Sequence, residues 1–491
     1  MHNQNPYLSK RPDFARLASR YPDFAPYVSV AEDGHVSLDF QNPAALRALT
    51  RCLLKEDWDL EVDLREDRIC PTLTNRLDYL LHVLDLEPYL PSTSTSEPLR
   101  VLDIYRGTGA AAIYPLLLHR LRPSCIITAT ELDGTSYNHA LSVVEINKIP
   151  PLSVSIKKAP SSHPILFSLL DKDDRFDVTI CNPPFFGSEE EMRQGQELKA
   201  QGSHAAPTAA MNELITPGGE VAFVGTMIEE SVKIGTRCEW YTSLIGKFSS
   251  LSLLIDLLRK HKIDNYLLKS IKQAKTTRWI LGWSHNSIRL PDRLARPELI
   301  IPNTAFARLL PPANHFHHKP QPSIPLQKLQ ESVLEVLESI NLDPNPSKPD
   351  PAWFVKMNDM EGESSNSSEV IISPKSNTWS RAARRQAARQ TESVTISTSA
   401  TKVAPAENSE ISDPLLKAKI IFVTGSEDGE SAMLEMEWME GKDRAAVENL
   451  WKFVLSKAGL IGKRQLEGNG DEGRGDGRNR DKSYGRRRRL D

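Results

Sequence analysis

Short apolar runs alternate with helical patterns between residues 99 and 184, and this alternation restricts the fold more than any other feature of the chain. The periodicity predicts strands and helices in alternation: strands at Leu99–Ile104, Cys125–Thr130, Leu152–Lys157 and Val178–Cys181, and helices at about Ala110–Leu121 and Ser136–Asn147, with another ending near Leu170. Repeated strand–helix–strand units require parallel strands joined by crossovers. We therefore predict an α/β fold with a doubly wound parallel sheet.

The pattern continues with less regularity after this region. A turn at Gly218-Gly219 is expected to lead into a strand at Val221–Val224, and further strands are predicted near Glu239–Ile245, Tyr266–Lys272 and Arg278–Trp283.

The strand at Val178–Cys181 ends in Asn182-Pro183-Pro184-Phe185. The two prolines end the strand and stiffen a loop at its carboxyl end, where ligands bind in open α/β sheets. The Asn182 amide oxygen and the Pro183 carbonyl can accept the two N–H groups of a planar amine, and Phe185 can stack on a base. This loop predicts positioning of an adenine-type amine without a proton-abstracting side chain. The alternative is a plain turn with a buried Phe.

A glycine turn and an acid follow the first two strands. Gly107-Thr108-Gly109 lies between strand and helix, where glycine lets a ligand approach the backbone N–H groups. Glu131 closes the second strand about 22 residues after Gly109, a spacing typical of an acid that binds ribose hydroxyls. A dinucleotide-binding fold shares these two features but does not predict the Asn-Pro-Pro-Phe loop. Together they indicate a Rossmann-like, S-adenosylmethionine-dependent methyltransferase acting on an amine.

Composition argues against several other classes of protein. The five cysteines (Cys52, Cys70, Cys125, Cys181, Cys238) form no CxxC pair, so we expect neither a metal site nor a disulfide framework. The N-terminal segment lacks a secretory pattern and no uncharged apolar run of about 18 residues occurs, so we expect a soluble, intracellular protein without a membrane partner. The formal net charge of −3 means that any affinity for nucleic acid must come from local patches.

Basic residues do cluster outside the predicted core strands. Lys10 and Arg11 lie among prolines and aromatic residues, Arg47 and Arg51 lie on the polar face of a helix that begins at Asn42-Pro43, and Lys275 and Arg278 precede two tryptophans. Each segment is either an RNA-binding surface or an ordinary solvated face, and composition does not decide between them.

The changes in composition along the chain predict five parts. We predict a basic N-terminal module at 1–90, the methyltransferase domain at 91–285, a largely disordered linker at 286–410, a small α+β domain at 411–462 and a disordered Arg/Gly-rich tail at 463–491. The linker carries an amphipathic helix at Leu326–Ile340 and a basic segment at Ser380–Gln390. The Arg486–Arg489 run is typical of a nuclear-import or RNA-binding segment.

Several segments resemble one known family over about residues 7–285. They are Arg11-Pro12-Asp13-Phe14, Ile69–Leu77, Gly107–Leu116, Cys181–Phe186 and Thr277-Arg278-Trp279. Taken together they are similar to the eukaryotic RNA adenosine methyltransferases called methyltransferase-like protein sixteen, which modify U6 small nuclear RNA and have bacterial ribosomal-RNA relatives.

The resemblance implies a role for each of the motifs. Asn182, Pro183, Pro184 and Phe185 would hold the target adenine, while Arg76 would reach the carboxylate of S-adenosylmethionine. The remaining cofactor contacts would come from Gly107, Thr108, Gly109, Ala111, Glu131 and again Asn182. Structured RNA, in particular a small nuclear RNA, would be the partner, bound with the help of Lys10, Arg11, Arg47, Arg51, Lys275 and Arg278. A nuclear location is expected, with the cytoplasm as an additional compartment.

The chain also departs from the family pattern. Tyr105 and Arg106 stand between Ile104 and Gly107, where the family runs directly from Asp-Ile into Gly-Thr-Gly. This insertion favours one alternative, a non-catalytic RNA-binding protein that keeps the fold. A protein-glutamine methyltransferase is a second alternative, disfavoured by the basic segments because a protein substrate needs no phosphate contacts. The intact Asn-Pro-Pro-Phe loop favours an active RNA N6-adenosine methyltransferase.

Overall fold

The computed structural model describes the chain in thirteen ranges: 1–91, 97–104, 111–160, 164–166, 173–200, 214–273, 276–297, 304–320, 323–340, 354–359, 367–385, 414–424 and 432–461. The chain divides into two compact units, Met1–Asn314 and His315–Asp491. The predicted site residues Gly107, Thr108, Gly109 and Lys275, the Tyr105-Arg106 insertion and the tail after residue 461 lie outside the described ranges.

A seven-stranded sheet forms the centre of the first unit. Its strands are β3 (Arg100–Asp103), β4 (Ile126–Glu131), β5 (Val154–Lys158), β6 (Phe176–Ile180), β7 (Cys238–Ile245), β8 (Tyr266–Gln273) and β9 (Thr276–Trp283). The spatial order is β5-β4-β3-β6-β7-β9-β8. Strands β3 to β7 are parallel, and β9 runs antiparallel to both β7 and β8. The predicted doubly wound α/β fold is therefore confirmed.

The point where the winding reverses lies between β3 and β6. The chain proceeds from β3 outward to β4 and β5, then returns to the other side of β3 as β6. The two strands pair in parallel, and the Ile104 N–H beyond β3 donates to the Ile180 carbonyl at 3.0 Å. Their carboxyl ends thus form the crevice in which open α/β sheets bind ligands, and the Asn182 loop follows β6 directly.

Helices cover both faces of this sheet. Neighbouring residues of β3 point to opposite sides, so Val101 belongs to one apolar cluster and Leu102 to another. Helices Leu73–Leu84, Ile113–Leu121 and Gly134–Ile146 contribute to the first cluster, whereas Gly219–Ile234 and Phe248–Lys260 contribute to the second. Because both faces are covered, all five residues of β6 are buried.

The N-terminal residues pack against the first of these clusters. They form helices Phe14–Arg20 and Pro43–Trp58 and a two-stranded sheet of β1 (Val28–Val30) and β2 (Val36–Leu38). The Asn42 side chain accepts hydrogen bonds from the N–H groups of Ala44 and Ala45 at 2.9 and 3.3 Å, and Pro43 begins the helix as predicted. Leu49, Leu53 and Leu54 share one core with Leu116 and Val178. The N-terminal module is thus part of the first unit.

One predicted element of the first unit differs from the structure, and three further helices complete this unit. The predicted strand at Val221–Val224 is wrong, because these residues lie within the helix Gly219–Ile234. Short helices occur at Glu189–Ala200, Asp292–Ala295 and Thr304–Ala307. Across the ranges that the structure describes, no helix combines the length and the apolar character that a membrane span requires.

The second unit contains a five-stranded antiparallel sheet. Its strands are β10 (His315–His318), β11 (Phe354–Asp359), β12 (Ser367–Ile372), β13 (Leu416–Thr424) and β14 (Ala432–Gly441), in the order β10-β14-β13-β12-β11. Helices Leu326–Ile340 and Arg444–Lys457 share an apolar cluster with this sheet.

The prediction of a disordered linker at 286–410 is therefore wrong where it covers β10, β11 and β12. These strands are short, and β10 and β12 pair with strands that lie much later in the chain, so no local pattern marks them. The amphipathic helix predicted at Leu326–Ile340 is confirmed.

Candidate active site

Buried hydrogen bonds hold the end of β6, from which the Asn182 loop starts. The Cys181 N–H donates to the Tyr79 hydroxyl at 3.2 Å, and the Leu244 N–H donates to the Cys181 carbonyl at 2.9 Å. The Tyr79 hydroxyl lies 2.7 Å from Thr242 Oγ1, which itself donates to the Thr179 carbonyl at 2.6 Å. Tyr79 must therefore donate to Thr242. Burial raises the pKa of Tyr79 well above its ordinary value, so the hydroxyl keeps the proton that this bond needs.

Asn182 lies beside Arg76, as the prediction that both serve one site requires. The Asn182 side chain is buried, and with its amide oxygen turned toward Arg76 it accepts from Nη1 at 2.8 Å and from Nη2 at 3.3 Å. Arg76 Nη1 also donates to the Tyr114 hydroxyl at 2.9 Å, and the guanidinium carbon lies 5.3 Å from the centre of the Tyr114 ring. The loop that follows is rigid and enclosed, since Pro183 and Pro184 are both buried.

Phe185 is held by a second guanidinium. The Arg278 guanidinium carbon lies 4.6 Å from the centre of the Phe185 ring, within the range of a cation–π interaction. Gly246 makes room for both groups, because a Cβ at this position would lie 2.6 Å from Phe185 Cδ1 and 2.8 Å from Arg278 Nη1. Burial lowers the pKa of Arg278 from its ordinary value, yet an arginine remains charged. The structure thus places Arg278 against the predicted stacking residue, and its contact with RNA stays a prediction.

Glu220, which is not among the site residues predicted from the sequence, fixes the backbone of Gly246. Its buried carboxylate accepts from the Gly246 N–H at 2.6 Å, the Lys247 N–H at 2.9 Å and the Ser250 hydroxyl at 2.7 Å. An acid at this place satisfies N–H groups at the start of the helix Phe248–Lys260 and complements its dipole. Glu220 reaches them from another helix, so only its position two residues after Gly218 marks it in the sequence.

Phe186 continues the loop and is tied to the segment before the helix Gly219–Ile234. Its N–H donates to the Leu214 carbonyl at 3.0 Å, and its carbonyl accepts from the Thr216 N–H at 2.9 Å. Lys247 Nζ lies 5.2 Å from the centre of the Phe186 ring and pairs with Glu191, whose other oxygen accepts from the Gly187 N–H at 2.6 Å. Contacts with neighbouring residues therefore hold both Phe185 and Phe186 in place.

Glu131 lies where the prediction placed it, at the carboxyl end of β4. The side chain is buried, and Oε1 accepts from the N–H groups of Leu132 at 2.8 Å and Asp133 at 2.9 Å. Because β4, β3 and β6 are adjacent parallel strands, Glu131 and Asn182 lie on the same edge of the sheet. Ala111 is half-buried and lies two residues before the helix Ile113–Leu121.

This edge offers chemically distinct groups to a cofactor. A carboxylate suits hydroxyl donors such as those of ribose, and a guanidinium suits a carboxylate. The Glu131 and Arg76 side chains therefore fit the ribose and the amino-acid end of S-adenosylmethionine.

The predicted RNA contacts differ in their accessibility. Lys10, Arg11 and Arg51 are exposed, with Lys10 Nζ 3.6 Å from an Asp57 oxygen. Arg47 is buried instead, with Nη2 3.4 Å from Glu66 Oε1, so the expectation that it lies on the polar face is wrong. The helix Pro43–Trp58 packs on more than one side, and Arg47 falls among its buried residues. A role for the exposed three in RNA binding stays a prediction.

A histidine cluster at the N-terminus was not expected from the sequence. His2, His82 and Asp85 each place a potential metal-ligand atom within 4.8 Å of the others. However, Lys269 Nζ lies 2.9 Å from His82 Nδ1 and 3.7 Å from Asp85 Oδ2, so an ammonium group already contacts two of the three. Burial lowers the pKa of His82, in keeping with a neutral ring that accepts from Lys269. The cluster ties the N-terminal segment to β8.

Comparison with known proteins places these residues in context. A family model described as an RNA methyltransferase matches residues 1–287. The chain is 37% identical to the RNA N(6)-adenosine-methyltransferase mettl16 of Xenopus laevis, over 69% of this chain and 58% of that protein. It is 32% identical to the U6 small nuclear RNA (adenine-(43)-N(6))-methyltransferase of Schizosaccharomyces pombe, over 72% of this chain and 83% of that protein.

More distant and structural relatives agree. The chain is 30% identical to ribosomal RNA large subunit methyltransferase F of Pectobacterium atrosepticum, over 58% of this chain and 92% of that protein. A crystal structure of the hMettl16 catalytic domain in complex with MAT2A 3'UTR hairpin 1 is 36% identical, with a TM-score of 0.52, and covers 58% of this chain and 95% of that chain. The match spans 52% to 61% of the length of the vertebrate mettl16 proteins, somewhat more than half.

Proposed function

The chain belongs to the RNA methyltransferase family whose model spans residues 1–287, and on this premise we propose that it transfers a methyl group from S-adenosylmethionine to N6 of an adenine in structured RNA. The observation that carries the proposal is the loop after β6. A buried amide, two buried prolines and an aromatic ring held by Arg278 lie at the point where the sheet reverses its winding. These are the groups that a planar exocyclic amine requires.

The loop can orient the amine without removing its proton first. The Asn182 amide oxygen and the Pro183 carbonyl accept its two N–H groups, so the nitrogen lone pair is directed away from the loop. A base taken out of its helix stacks on Phe185, which contributes roughly 1–3 kcal/mol in comparable sites. S-adenosylmethionine supplies an electrophilic methyl group on a sulfonium. The new N–C bond forms as the S–C bond breaks, the sulfur keeps the electron pair as a thioether, and the amine then loses one proton to water.

Glu131 and Arg76 provide the cofactor contacts in this proposal. The Oε1 atom of Glu131 is fixed by two backbone N–H groups, so the orientation of the carboxylate toward ribose hydroxyls is set in advance. Arg76 presents its guanidinium beside Asn182 for the carboxylate of the amino-acid end. The predicted cofactor contacts also include Gly107, Thr108, Gly109 and Ala111.

We propose a small nuclear RNA such as U6 as the substrate and the nucleus as the location. The S. pombe relative is named for adenine 43 of U6 RNA, and the hMettl16 structure holds an RNA hairpin. The exposed Lys10, Arg11 and Arg51 would contact phosphates. The Lys10–Asp57 pair is at the surface and contributes little, about 0–1 kcal/mol, so a phosphate can replace Asp57 readily.

Methyl transfer from labelled S-adenosylmethionine into a mixture of total small RNA and protein extract tests this function. We expect label in RNA, recovered as N6-methyladenosine after digestion to nucleosides. Label in protein would favour the glutamine methyltransferase instead. Absence of label together with absence of cofactor binding, but with salt-dependent RNA affinity retained, would replace the proposal with a non-catalytic RNA-binding protein.

A further inference from the structure

Arg76 occupies the acceptor that the adenine amine needs. With the Asn182 amide oriented so that its oxygen rather than its nitrogen faces the guanidinium, Arg76 Nη1 and Nη2 lie 2.8 and 3.3 Å from that oxygen. An amide oxygen has two lone pairs, and two N–H donors from one guanidinium engage both. In this state Asn182 cannot accept a hydrogen bond from a substrate amine at full strength.

Arg76 contacts no carboxylate in the described part of the chain. Its contacts within the described part of the chain are with Asn182 and with Tyr114, both of them neutral. The side chain is half-buried, and the other guanidinium at the loop, that of Arg278, is already stacked on Phe185. A partly buried guanidinium without a carboxylate partner is suited to receive an anion from a ligand.

We infer that Arg76 couples cofactor binding to adenine binding, an inference that rests on the proposed function. With the cofactor bound, Arg76 pairs with its carboxylate, because a carboxylate carries a full negative charge and accepts both N–H groups bidentately, whereas the Asn182 amide oxygen is neutral. Asn182 is then released and its oxygen accepts from the adenine amine. Tyr114 keeps its hydrogen bond to Arg76 Nη1 and limits how far the guanidinium moves. The cofactor therefore prepares the site for RNA, and RNA binds productively second.

The test measures the affinity of a U6 hairpin transcript for the full chain with three additions. They are no nucleoside, S-adenosylhomocysteine, and S-adenosyl-3-thiopropylamine, which lacks only the carboxylate. We expect S-adenosylhomocysteine to tighten RNA binding about tenfold, within the usual range for coupled sites, and the amine analogue to leave it unchanged. A transcript with purine in place of the target adenine lacks the N6 amine, so its binding should show no coupling.

Variants of Arg76 distinguish a role in coupling cofactor binding to RNA binding from a purely structural role. Arg76→Met leaves Asn182 unoccupied, so RNA should bind without the cofactor as tightly as wild type does with S-adenosylhomocysteine, and the coupling should vanish. Arg76→Lys keeps the charge and should retain part of the coupling. The matched control is Arg65→Met, which removes an arginine that pairs with Asp67 on the surface and should leave the coupling as in wild type.

Two results would overturn the inference. One is independent binding of S-adenosylhomocysteine and RNA to wild type, and the other is full coupling in Arg76→Met. In both cases the proposed function survives, because each ligand still binds. If S-adenosylhomocysteine does not bind wild type at all, the proposed function fails and this inference with it.

Discussion

The contact between Phe185 and Arg278 depends on a glycine at position 246, because a side chain there would collide with both residues. In Gly246→Ala the new Cβ would lie 2.6 Å from Phe185 Cδ1 and 2.8 Å from Arg278 Nη1, both far inside ordinary contact. Gly246 is not among the glycines with positive φ, so alanine can adopt its backbone conformation and the effect is steric. The Phe185 ring, the Arg278 guanidinium or both must move by about 1 Å to restore normal contact distances.

The size of the effect follows from this displacement. Overpacking of this kind destabilises a protein by about 1–3 kcal/mol, and separating Phe185 from Arg278 removes a further 0.5–2 kcal/mol, roughly, of cation–π attraction. A displacement of about 1 Å at a positioning group lowers catalysis roughly 100-fold. We therefore expect kcat/KM for adenine methylation to fall about 100-fold while the affinity for S-adenosylhomocysteine, bound through other residues, stays unchanged.

Gly225→Ala is the matched control. Gly225 is buried in the helix Gly219–Ile234, but a Cβ there meets its nearest atom, Leu257 Cδ2, at an ordinary 3.6 Å. Alanine in a helix is better than glycine by about 0.5–1 kcal/mol, so this variant should be as active as wild type and slightly more stable. Methylation kinetics and calorimetric titration with S-adenosylhomocysteine check both variants. Wild-type kinetics in Gly246→Ala, or a parallel loss of cofactor affinity, would refute the role of the Phe185–Arg278 pair.

Two other substitutions test the sheet that carries the site. Burial, and to a lesser extent the charge of Asp177, raises the pKa of Glu239 from 4.5 to about 7. Between these two pH values the folded protein keeps a proton that the unfolded chain loses, so the stability of the fold decreases as the pH rises from 4.5 to 7. Allowing for partial solvent screening, Glu239→Gln should therefore be more stable than wild type by roughly 1–2 kcal/mol at pH 8 and about equally stable at pH 5. Urea unfolding of both proteins at the two pH values checks this. A larger gain in stability at pH 5 than at pH 8 would contradict it. Tyr79→Phe leaves the buried Cys181 N–H without the hydroxyl to which it donates, which should cost about 1–3 kcal/mol of stability. The midpoint of thermal unfolding should therefore fall. An unchanged midpoint would show that the Tyr79 hydroxyl does not stabilise the end of β6.

The parts of the fold that the sequence predicts correctly are those with a local signal. The run Val178–Cys181 is apolar and β-branched and is stopped by prolines, so its strand and the loop after it follow from adjacent residues. Glu131 follows from its place at the end of a strand in the same way. The run Val221–Val224 has an equally strong apolar character, yet it forms part of a helix that begins at Gly219, which like Gly218 before it has a positive φ. Four apolar residues alone do not distinguish a strand from a buried helix segment.

The partners of the site residues are the parts that the sequence does not predict. Phe185 lies in the loop after β6, Gly246 directly follows β7 and Arg278 lies within β9. Only the antiparallel pairing of β7 with β9 brings the last two together. Arg47 was placed on a polar helix face because helical spacing cannot show that a second layer covers that face. In the second unit, β10 finds its partner in β14 across most of that unit's sequence. Such pairings depend on the whole fold rather than on neighbouring residues.

The proposed function depends on Asn182, and single-turnover methylation of a U6 transcript tests the role of this residue most directly. Wild type and Asn182→Ala are mixed with saturating S-adenosylmethionine, and N6-methyladenosine is counted by mass spectrometry of nucleosides. We predict N6-methyladenosine with wild type and a rate at least about 100-fold lower with Asn182→Ala. RNA affinity should fall by no more than about tenfold, the share that the coupling assigns to the Asn182 contact, because phosphate contacts supply the rest. Methylation by Asn182→Ala at the wild-type rate, or a methyl group on an atom other than N6, would contradict the proposed role of Asn182.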